Sequence, residues 1–272
     1  GRRRQVAGAG LRQLAGGMKS TAGEDDMSPA SPIKTDIPAR ERLIFALDVP
    51  DIDRARELIA ALGDSVVFYK LGLEFFLSGH YFELAAELKQ QGKKIFADLK
   101  LFDIPATVAS AVRQLARHEV DFCTVHGNDA MLKAAAGAKG SMQILAVTAL
   151  TSLDQGDLDD LGFQCDARTL VLSRARRALA LGCDGVVCSG LEVRALRETV
   201  DHALITVCPG IRPVFNDEVS AVNDQQRIVT PGDAITSGAD YLVVGRPIRD
   251  AADPRAAAEA IQSQISSALD QS

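Results

Sequence analysis

The sequence predicts an α/β protein: a single-domain (β/α)8 barrel, or TIM barrel, that follows a disordered N-terminal extension. Eight short aliphatic runs lack polar alternation, as expected for parallel strands that are buried on both faces. Amphipathic helical patterns separate the runs, and the alternation fills about 230 residues, the size of one such barrel. An open doubly wound sheet would instead carry a GxGxxG turn after its first strand. Here the first run ends in Leu47-Asp48-Val49-Pro50, so the closed barrel is favoured.

The predicted strands and helices alternate along the chain from residue 42 onward. Strands are predicted at 43–48, 66–71, 94–99, 122–126, 143–149, 185–189, 204–208 and 241–245. Helical patterns occur at 53–62, 81–91, 105–117 and 167–181. A glycine follows several helical patterns at the position where a C′ residue ends a helix, namely Gly63, Gly92, Gly182 and Gly238.

Residues 1–40 are predicted to form a flexible leader or extension, and residues 41–272 the barrel domain. The leader is rich in Gly, Ala, Ser, Pro and Arg and has no sustained apolar periodicity. Its Arg-rich first half also suits an organellar transit peptide. The alternatives are a disordered leader, or a start codon placed too early with Met18 or Met27 as the true first residue. Acidic residues from Glu24 onward favour these alternatives.

Composition disfavours several classes of protein. The chain has 272 residues, of which 47% are hydrophobic and 24% charged, as in folded globular proteins. No apolar run approaches the roughly 18 residues that a membrane-spanning helix needs. The first forty residues hold seven basic and four acidic side chains, so the remaining chain has a net charge of −9, which disfavours nucleic-acid binding. The five cysteines lack a CxxC spacing and lie mostly in apolar runs, which indicates buried free thiols in a soluble, cytoplasmic protein.

Charged side chains stand at the predicted carboxyl ends of several strands. Asp48 follows the first strand, Lys70 lies near the end of the second, and Asp98 and Lys100 belong to the third. The catalytic groups of a (β/α)8 barrel lie at these ends. Because unpaired charges would be costly there, an array in which Lys and Asp neutralise one another is the expected arrangement.

The third strand holds the densest cluster of charge. Asp98 and Lys100 are two residues apart on a strand, so their side chains should project to the same face. Asp103 lies beyond the strand end, and Pro105 suits the first turn of the next helix. An ion pair that merely fills the barrel is the alternative, which the further charges on neighbouring strands disfavour.

An anion site is predicted after the eighth strand. Gly245-Arg246-Pro247 places a guanidinium and backbone N–H groups at the start of a helix. Barrels of this class commonly bind phosphate at this place. The alternative is an arginine that caps the barrel rim. The long polar loop 212–227 can form a lid over the site.

The segment after residue 97 carries a family signature. Asp98-Leu-Lys100-Leu-Phe-Asp103-Ile-Pro105-Ala-Thr107 closely resembles the D-x-K-x-x-D-I-P-x-T segment of the orotidine 5′-monophosphate decarboxylase family. The resemblance runs from residue 43 to about residue 261. It includes further motifs in the same order: Phe45-Ala-Leu-Asp48, Tyr69-Lys-Leu-Gly72, Val147-Thr-Ala-Leu-Thr-Ser152, Asp184-Gly-Val-Val-Cys-Ser189, Pro209-Gly-Ile-Arg212 and Val244-Gly-Arg246.

The resemblance implies decarboxylation of orotidine 5′-monophosphate to UMP, the last step of de novo pyrimidine synthesis, without a metal or organic cofactor. It implies a homodimer in which Asp103 reaches into the partner's site. Lys70, Asp98, Lys100 and Asp103 would form the catalytic array. Lys100 would be the acid that protonates C6 of the pyrimidine, and Asp98 would lie against the substrate carboxylate.

The resemblance also assigns substrate contacts. Asp48, Lys70 and, from the second subunit, Thr107 would bind the ribose hydroxyls. Residues of later strands and loops would make the remaining contacts: Thr151 and Pro209 at the pyrimidine, Gly245, Arg246 and Gln225 (or Gln226) at the 5′-phosphate, and Arg212 as a further substrate-binding residue.

The residue types suit this chemistry. Loss of CO₂ from an sp² carbon leaves a carbanion without a conventional electron sink, so a fixed ammonium must stabilise the developing charge. A lysine flanked by carboxylates stays protonated and can serve both as electrostatic stabiliser and as proton donor. Repulsion between Asp98 and the substrate carboxylate is a secondary contribution.

Two other functions stay open. Mg²⁺-dependent sugar-phosphate decarboxylases or synthases of the same barrel superfamily share the D-x-K-x-x-D segment, but use an acidic residue where this chain has Lys70. A non-catalytic barrel that binds a nucleoside monophosphate would keep Arg246 and the loop but could lose the Lys/Asp array. Lys70 and the complete array favour the decarboxylase, with no nucleic-acid or membrane partner.

Overall fold

The predicted closed barrel is present. The computed structural model describes Lys34 and residues 36–126, 128–150, 152–213 and 229–271, so residues 1–33 of the predicted leader lie outside the described residues. Within that part of the chain, eight parallel strands pair in sequence order and the eighth pairs with the first. The strands are β1 (Leu43–Ala46), β2 (Phe68–Leu71), β3 (Lys94–Leu101), β4 (Phe122–His126), β5 (Gln143–Val147), β6 (Gly185–Val187), β7 (Ile205–Cys208) and β8 (Tyr241–Val244).

The strand bounds differ from the prediction mainly at the carboxyl ends. β4 has the predicted bounds, whereas β1, β5 and β6 each end two residues earlier than predicted. β3 continues two residues further, to Leu101. The apolar runs of the sequence are longer than the hydrogen-bonded strands. Their last residues already belong to the loops that carry the site.

Helices connect the strands, and many begin and end where local chemistry dictates. Asp51 accepts a hydrogen bond from the Arg54 N–H at the start of the first helix, and Asp166 does the same for Thr169 at the seventh. The four glycines that were predicted to end helices all have positive φ. The helices are α1 (Ile52–Leu62), α2 (Leu73–Leu77), α3 (Tyr81–Gln90), α4 (Pro105–Ala116), α5 (Asp129–Ala136), α6 (Gln155–Asp160), α7 (Ala167–Ala180), α8 (Val193–Thr199), α9 (Pro231–Thr236), α10 (Arg246–Arg249) and α11 (Pro254–Asp270).

An aromatic layer fills the interior of the barrel. The ring of Phe122 lies 4.9 Å from the ring of Phe68 and 5.1 Å from that of Tyr241, centroid to centroid, both in edge-to-face geometry. Phe96 packs on the same ring at 6.1 Å. Such rings bury large apolar areas, and edge-to-face contacts add about 1 kcal/mol each. The barrel is therefore a packed core rather than a pore.

A buried ion cluster closes the opposite, amino-terminal end of the strands. The Asp240 carboxylate accepts hydrogen bonds from Arg197 Nη2 at 2.7 Å and from Lys34 Nζ at 3.2 Å. Arg197 also donates to Thr206 Oγ1 at 3.0 Å. Among the described residues, Lys34 thus contacts the barrel although it precedes the predicted domain boundary at residue 41. The division into leader and barrel stays a prediction.

The cysteines agree with the prediction. All five are free thiols, and Cys123, Cys183, Cys188 and Cys208 are buried. Across the described ranges, no helix combines the length and the apolar character that crossing a membrane requires.

Candidate active site

Four charged side chains lie in one row at the carboxyl ends of β1, β2 and β3. Lys70 Nζ is 3.0 Å from Asp48 Oδ1 and 3.5 Å from Asp98 Oδ2. Lys100 Nζ is 2.8 Å from Asp98 Oδ1. We call Asp48, Lys70, Asp98 and Lys100 the charged row. Positive and negative groups alternate along it, so the predicted self-neutralising array is present.

Strand periodicity places the row directly above the aromatic layer. Lys70 stands two residues after Phe68, and Asp98 stands two residues after Phe96. Because side chains two apart on a strand share a face, both charged groups point into the barrel above the phenyl rings. Lys70 and Asp98 are almost fully buried above these rings, with side-chain exposures of 10% and 13%.

An irregularity in β3 sets the position of Lys100. Ala97 pairs with Cys123 and Leu101 pairs with Val125, so three residues of β3 lie opposite one residue of β4. Within this bulge Lys100 has φ of 47°, in the left-handed region that non-glycine residues rarely occupy. Asp98 and Lys100 do share a face, as predicted, but through a bulge and not through a regular strand.

The two most buried members of the row, Lys70 and Asp98, keep their charges. Burial alone would raise the pKa of Asp98, but the positive charges of Lys70 and Lys100, with hydrogen bonds from Lys100 and Thr124, lower the pKa below its ordinary value. Burial alone would lower the pKa of Lys70, but the Asp98 and Asp48 carboxylates raise that pKa above its ordinary value. Asp98 and Lys70 are thus stabilised in their ionised forms by their neighbours.

The charged row lines a cleft of about 310 Å³ at the barrel mouth. Other predicted residues line the same cleft, namely Pro209, Arg212, Gly245 and Arg246. The short helix α10 begins at Arg246 immediately after Gly245, as predicted. The structure therefore brings eight of the predicted site residues together around one opening: Asp48, Lys70, Asp98, Lys100, Pro209, Arg212, Gly245 and Arg246.

A larger groove of about 660 Å³ lies elsewhere, between α1 and α3. Its lining includes Gly63 and Asp64, which precede β2, and Lys93, which precedes β3. The groove is therefore at the amino-terminal ends of the strands, whereas enzymes of this architecture have their active sites at the carboxyl-terminal ends. We assign the site to the smaller cleft, because the converging charges are there.

Two predicted residues do not reach the cleft of their own chain. Asp103 and Thr107 are exposed on the loop after β3 and on α4. Asp103 Oδ1 accepts a hydrogen bond from the Ile104 N–H at 2.6 Å. Phe102 and Ile104, which flank Asp103, are each 67% exposed. Thr151, Gln225 and Gln226 lie outside the described residues.

Several residues of the site were not predicted. Arg249 lines the cleft and donates from Nη1 to the backbone carbonyl of Asp48 at 2.9 Å. Its position one helical turn after Arg246 could have indicated this. Gly72 packs so closely that a Cβ there would lie 2.9 Å from Asp48 Oδ1. Thr124 bonds to the charged row, and its spacing of two residues after Phe122 carries the same inward-facing signal as Lys70 and Asp98.

The described residues contain no group of three or more His, Cys, Asp or Glu side chains placed to hold a metal ion. The groups that converge on the cleft are instead ammonium and guanidinium groups with two carboxylates. The guanidinium groups can bind anions, and the paired lysines and aspartates can bind hydroxyl groups.

A closed parallel barrel with paired charges in a cleft at the carboxyl ends of its strands has the architecture of (β/α)8-barrel enzymes, whose active sites lie at those ends. The family model described as the orotidine 5′-phosphate decarboxylase / HUMPS family matches residues 41–261. The chain belongs to this family.

Comparisons with individual proteins support the same family. The chain is 63% identical over 229 residues to an orotidine 5′-phosphate decarboxylase of Methylococcus capsulatus, covering 84% of this chain and 93% of that protein. It is 52% identical over 235 residues to one of Xanthomonas oryzae, covering 86% and 95%. A crystal structure of orotidine 5′-phosphate decarboxylase from Lactobacillus acidophilus matches with a TM-score of 0.72 and 36% identity over 83% of this chain and 99% of that chain. The chain is an enzyme of the carboxy-lyase class.

Proposed function

We propose that this protein decarboxylates orotidine 5′-monophosphate to UMP, the last step of de novo pyrimidine synthesis, without a metal or organic cofactor. One observation carries the proposal: Lys70 lies between Asp48 and Asp98, with Lys100 beyond, so the row supplies two ammonium groups and two carboxylates at one mouth. The names of the two bacterial relatives described above support the same substrate.

In the proposed reaction Lys100 handles the charge that decarboxylation creates. The bond between C6 and the carboxylate carbon breaks, CO₂ leaves, and the electron pair stays on C6. The nearby ammonium stabilises that pair and then transfers a proton to C6, which leaves a neutral amine. The Lys100 side chain is 34% exposed, so the amine can be reprotonated from solvent once the product leaves.

Asp98 would face the substrate carboxylate. Its lowered pKa keeps it ionised at neutral pH, so the two negative groups repel each other in the bound state. That repulsion disappears when CO₂ departs, which favours the transition state relative to the ground state. We rank this effect below the fixed field of the lysines, because Lys70 and Lys100 already neutralise much of the charge.

Asp48 and Lys70 would bind the ribose hydroxyls, and Pro209 with Thr151 would line the pyrimidine. The phosphate would bind at the other side of the cleft, where Arg246 and the start of α10 meet Arg212. Gln225, from the predicted lid loop, would complete that site. Remote phosphate binding of this kind can help to assemble the reacting geometry.

The proposed enzyme is a homodimer with shared sites. Asp103 and Thr107 are exposed, yet the apolar side chains of Phe102 and Ile104 stand beside them at 67% exposure. Large exposed apolar side chains next to functional residues favour a protein interface. A second copy seated there would cover these side chains and bring Asp103 and Thr107 to the neighbouring cleft.

The alternative is a Mg²⁺-dependent sugar-phosphate enzyme of the same family. Lys70 argues against it, because an ammonium 3.0 Å from Asp48 and 3.5 Å from Asp98 neutralises the carboxylates that a divalent cation would require. Turnover of orotidine 5′-monophosphate should therefore survive excess EDTA. Activity abolished by EDTA and restored by Mg²⁺ would favour the alternative.

The test is the ultraviolet absorbance change when the purified protein is mixed with orotidine 5′-monophosphate. We expect rapid turnover by the unsubstituted chain and loss of at least about 1,000-fold in kcat for Lys100→Ala, because that variant lacks both the stabilising charge and the proton. No turnover by the unsubstituted chain, with UMP still bound, would point to a non-catalytic barrel. Full activity of Lys100→Ala would overturn the assignment of Lys100.

A further inference from the structure

Thr124 of β4 is fully buried and bonds to two members of the charged row. Its hydroxyl donates to Asp98 Oδ1 at 2.9 Å. The same oxygen accepts the backbone N–H of Lys100 at 3.0 Å. A hydroxyl has one hydrogen and two lone pairs, so these two bonds have a fixed direction: from Lys100 N–H to Thr124, and from Thr124 to Asp98.

We propose that Thr124 is a positioning residue for the reaction: its hydroxyl holds the Asp98 carboxylate and the Lys100 backbone in one fixed geometry. The inference rests on the proposed function, in which Lys100 delivers a proton while Asp98 faces the substrate carboxylate. Thr124 does not line the cleft, so it acts through Asp98 and Lys100, which do.

The bulge in β3 explains why a hydroxyl is needed at this place. Thr124 is the single β4 residue opposite residues 98–100, so the ordinary ladder of backbone bonds is interrupted there. The Thr124 oxygen takes the Lys100 N–H that the ladder would otherwise pair. Without it, the partly buried N–H of Lys100 would lose its partner, at a residue whose own backbone is in the left-handed region.

The same hydroxyl restricts the carboxylate. Asp98 Oδ1 accepts from Thr124 on one side and from Lys100 Nζ on the other, while Oδ2 faces Lys70. Three partners from three strands fix both the orientation and the ionisation of one carboxylate. Catalysis is sensitive to displacements of about 1 Å at such groups.

Three variants separate positioning from stability. Thr124→Val preserves shape and removes the hydroxyl, and Thr124→Ser restores the hydroxyl. The matched control is Thr206→Val, because Thr206 is also a buried strand threonine whose hydroxyl bonds to a buried aspartate, Asp240, but at the far end of the barrel. Thermal unfolding and UMP binding verify that each variant is folded.

For Thr124→Val we expect kcat to fall by about 10- to 100-fold, the factor of one hydrogen bond to a charged group, with KM changed less than about threefold. Thr124→Ser should return kcat to within about threefold of the unsubstituted chain. Thr206→Val should lower the unfolding temperature without lowering kcat. A Thr124→Val kcat equal to that of Thr206→Val, or failure of serine to rescue, would overturn the proposal.

A titration gives a readout that does not depend on turnover. With ¹³C-labelled aspartate carboxyl groups, and Asp98→Asn to identify the signal, the Asp98 carbon should titrate at higher pH in Thr124→Val, because one bond that favours the ionised form is gone. The acid limb of the kcat/KM profile should move in the same direction. An unshifted carboxyl signal contradicts the positioning role. If the unsubstituted chain shows no turnover, only the proposed function is refuted. The carboxyl titration would still test whether Thr124 holds the Asp98 carboxylate.

Discussion

Lys70 and Asp98 join two ion pairs into one row: Lys70 Nζ lies 3.5 Å from Asp98 Oδ2, and each has its second partner on the far side. Neither charge is stable alone in so buried a position, because an unpaired buried charge is strongly destabilising. The row therefore acts as a unit, and removal of one member should be felt by the others.

Removal of the Lys70 ammonium tests this dependence. Lys70→Met retains the apolar stem but leaves Asp98 with a single cationic neighbour, so the free energy of unfolding at pH 7 should fall by about 3 kcal/mol. The kcat/KM for orotidine 5′-monophosphate should fall by at least about 100-fold. Urea unfolding and steady-state kinetics measure the two effects. The control is Lys133→Met, on the exposed face of α5, which should change neither the stability nor kcat/KM. If Lys70→Met is as stable as the unsubstituted chain, the members of the row do not depend on one another.

The lowered pKa of Asp98 makes stability depend on pH in the acid range. A carboxyl group whose pKa is lower in the folded state stabilises the fold above its unfolded pKa of about 3.9, and this contribution is lost as pH falls through the folded value. The difference in free energy of unfolding between the unsubstituted chain and Asp98→Asn should therefore shrink below about pH 4. Guanidinium unfolding between pH 3 and 7 measures it. A difference that stays constant over that range would exclude this linkage.

Gly72 sets the space available to Asp48 and Lys70. A Cβ at Gly72 would lie 2.9 Å from Asp48 Oδ1 and 3.1 Å from Lys70 Nζ, so Gly72→Ala must displace one of them. We expect kcat/KM to fall by about 10- to 100-fold with little change in unfolding temperature. Gly232→Ala is the control, since a Cβ there meets nothing within 4 Å. Equal activities of the two variants would show that the site tolerates the displacement.

Sharing of sites between subunits can be tested by mixing inactive variants. If Asp103 acts in the partner's cleft, a dimer of one Lys100→Ala chain and one Asp103→Ala chain contains one complete site. Random reassociation should then recover about a quarter of the unsubstituted activity. Activity of the mixture after denaturation and refolding, with sedimentation velocity for the dimer, measures this. No recovery from a mixture that forms dimers would place Asp103 in its own chain's site.

The ion cluster at the amino-terminal end should matter for stability alone. Arg197 and Asp240 are almost completely buried, so Arg197→Met should lower the free energy of unfolding by about 3–5 kcal/mol. Because the candidate active site lies at the other end of the barrel, kcat should be unchanged. Unfolding curves and kinetics at a temperature where the variant is folded provide the comparison; a parallel loss of kcat would reveal coupling between the two ends.

The strand pattern predicted the closed barrel because parallel strands that are buried on both faces have uninterrupted aliphatic sequences. The run 122–126 has the same bounds as β4. Helix ends at Gly63 and Gly182 were predictable from local backbone preference. The charged row was predictable because parallel strands bring their carboxyl ends together. These features depend on short-range pattern and on one topological rule.

Other features depend on contacts that sequence order conceals. The bulge that gives Lys100 its left-handed backbone arises from register between β3 and β4, which no spacing within either strand records. Arg249 reaches Asp48 across about two hundred positions of sequence. The close approach of Gly72 to Asp48 and Lys70 likewise depends on how neighbouring strand ends pack, which the sequence does not record. Residues 103 and 107 illustrate a different limit, since one chain alone leaves them outside its own cleft.

The aromatic layer under the charged row has a consequence for hydrogen isotopes. The rings of Phe68, Phe96, Phe122 and Tyr241 fill the barrel below Lys100, so its ammonium exchanges hydrogens with water from the mouth side. In the proposed reaction, a nucleotide seated in the mouth would displace that water. The hydrogen delivered to C6 would then be one of the three that Lys100 carries at the moment of binding. The isotope in the first product formed would therefore be the one that Lys100 carried when the substrate bound.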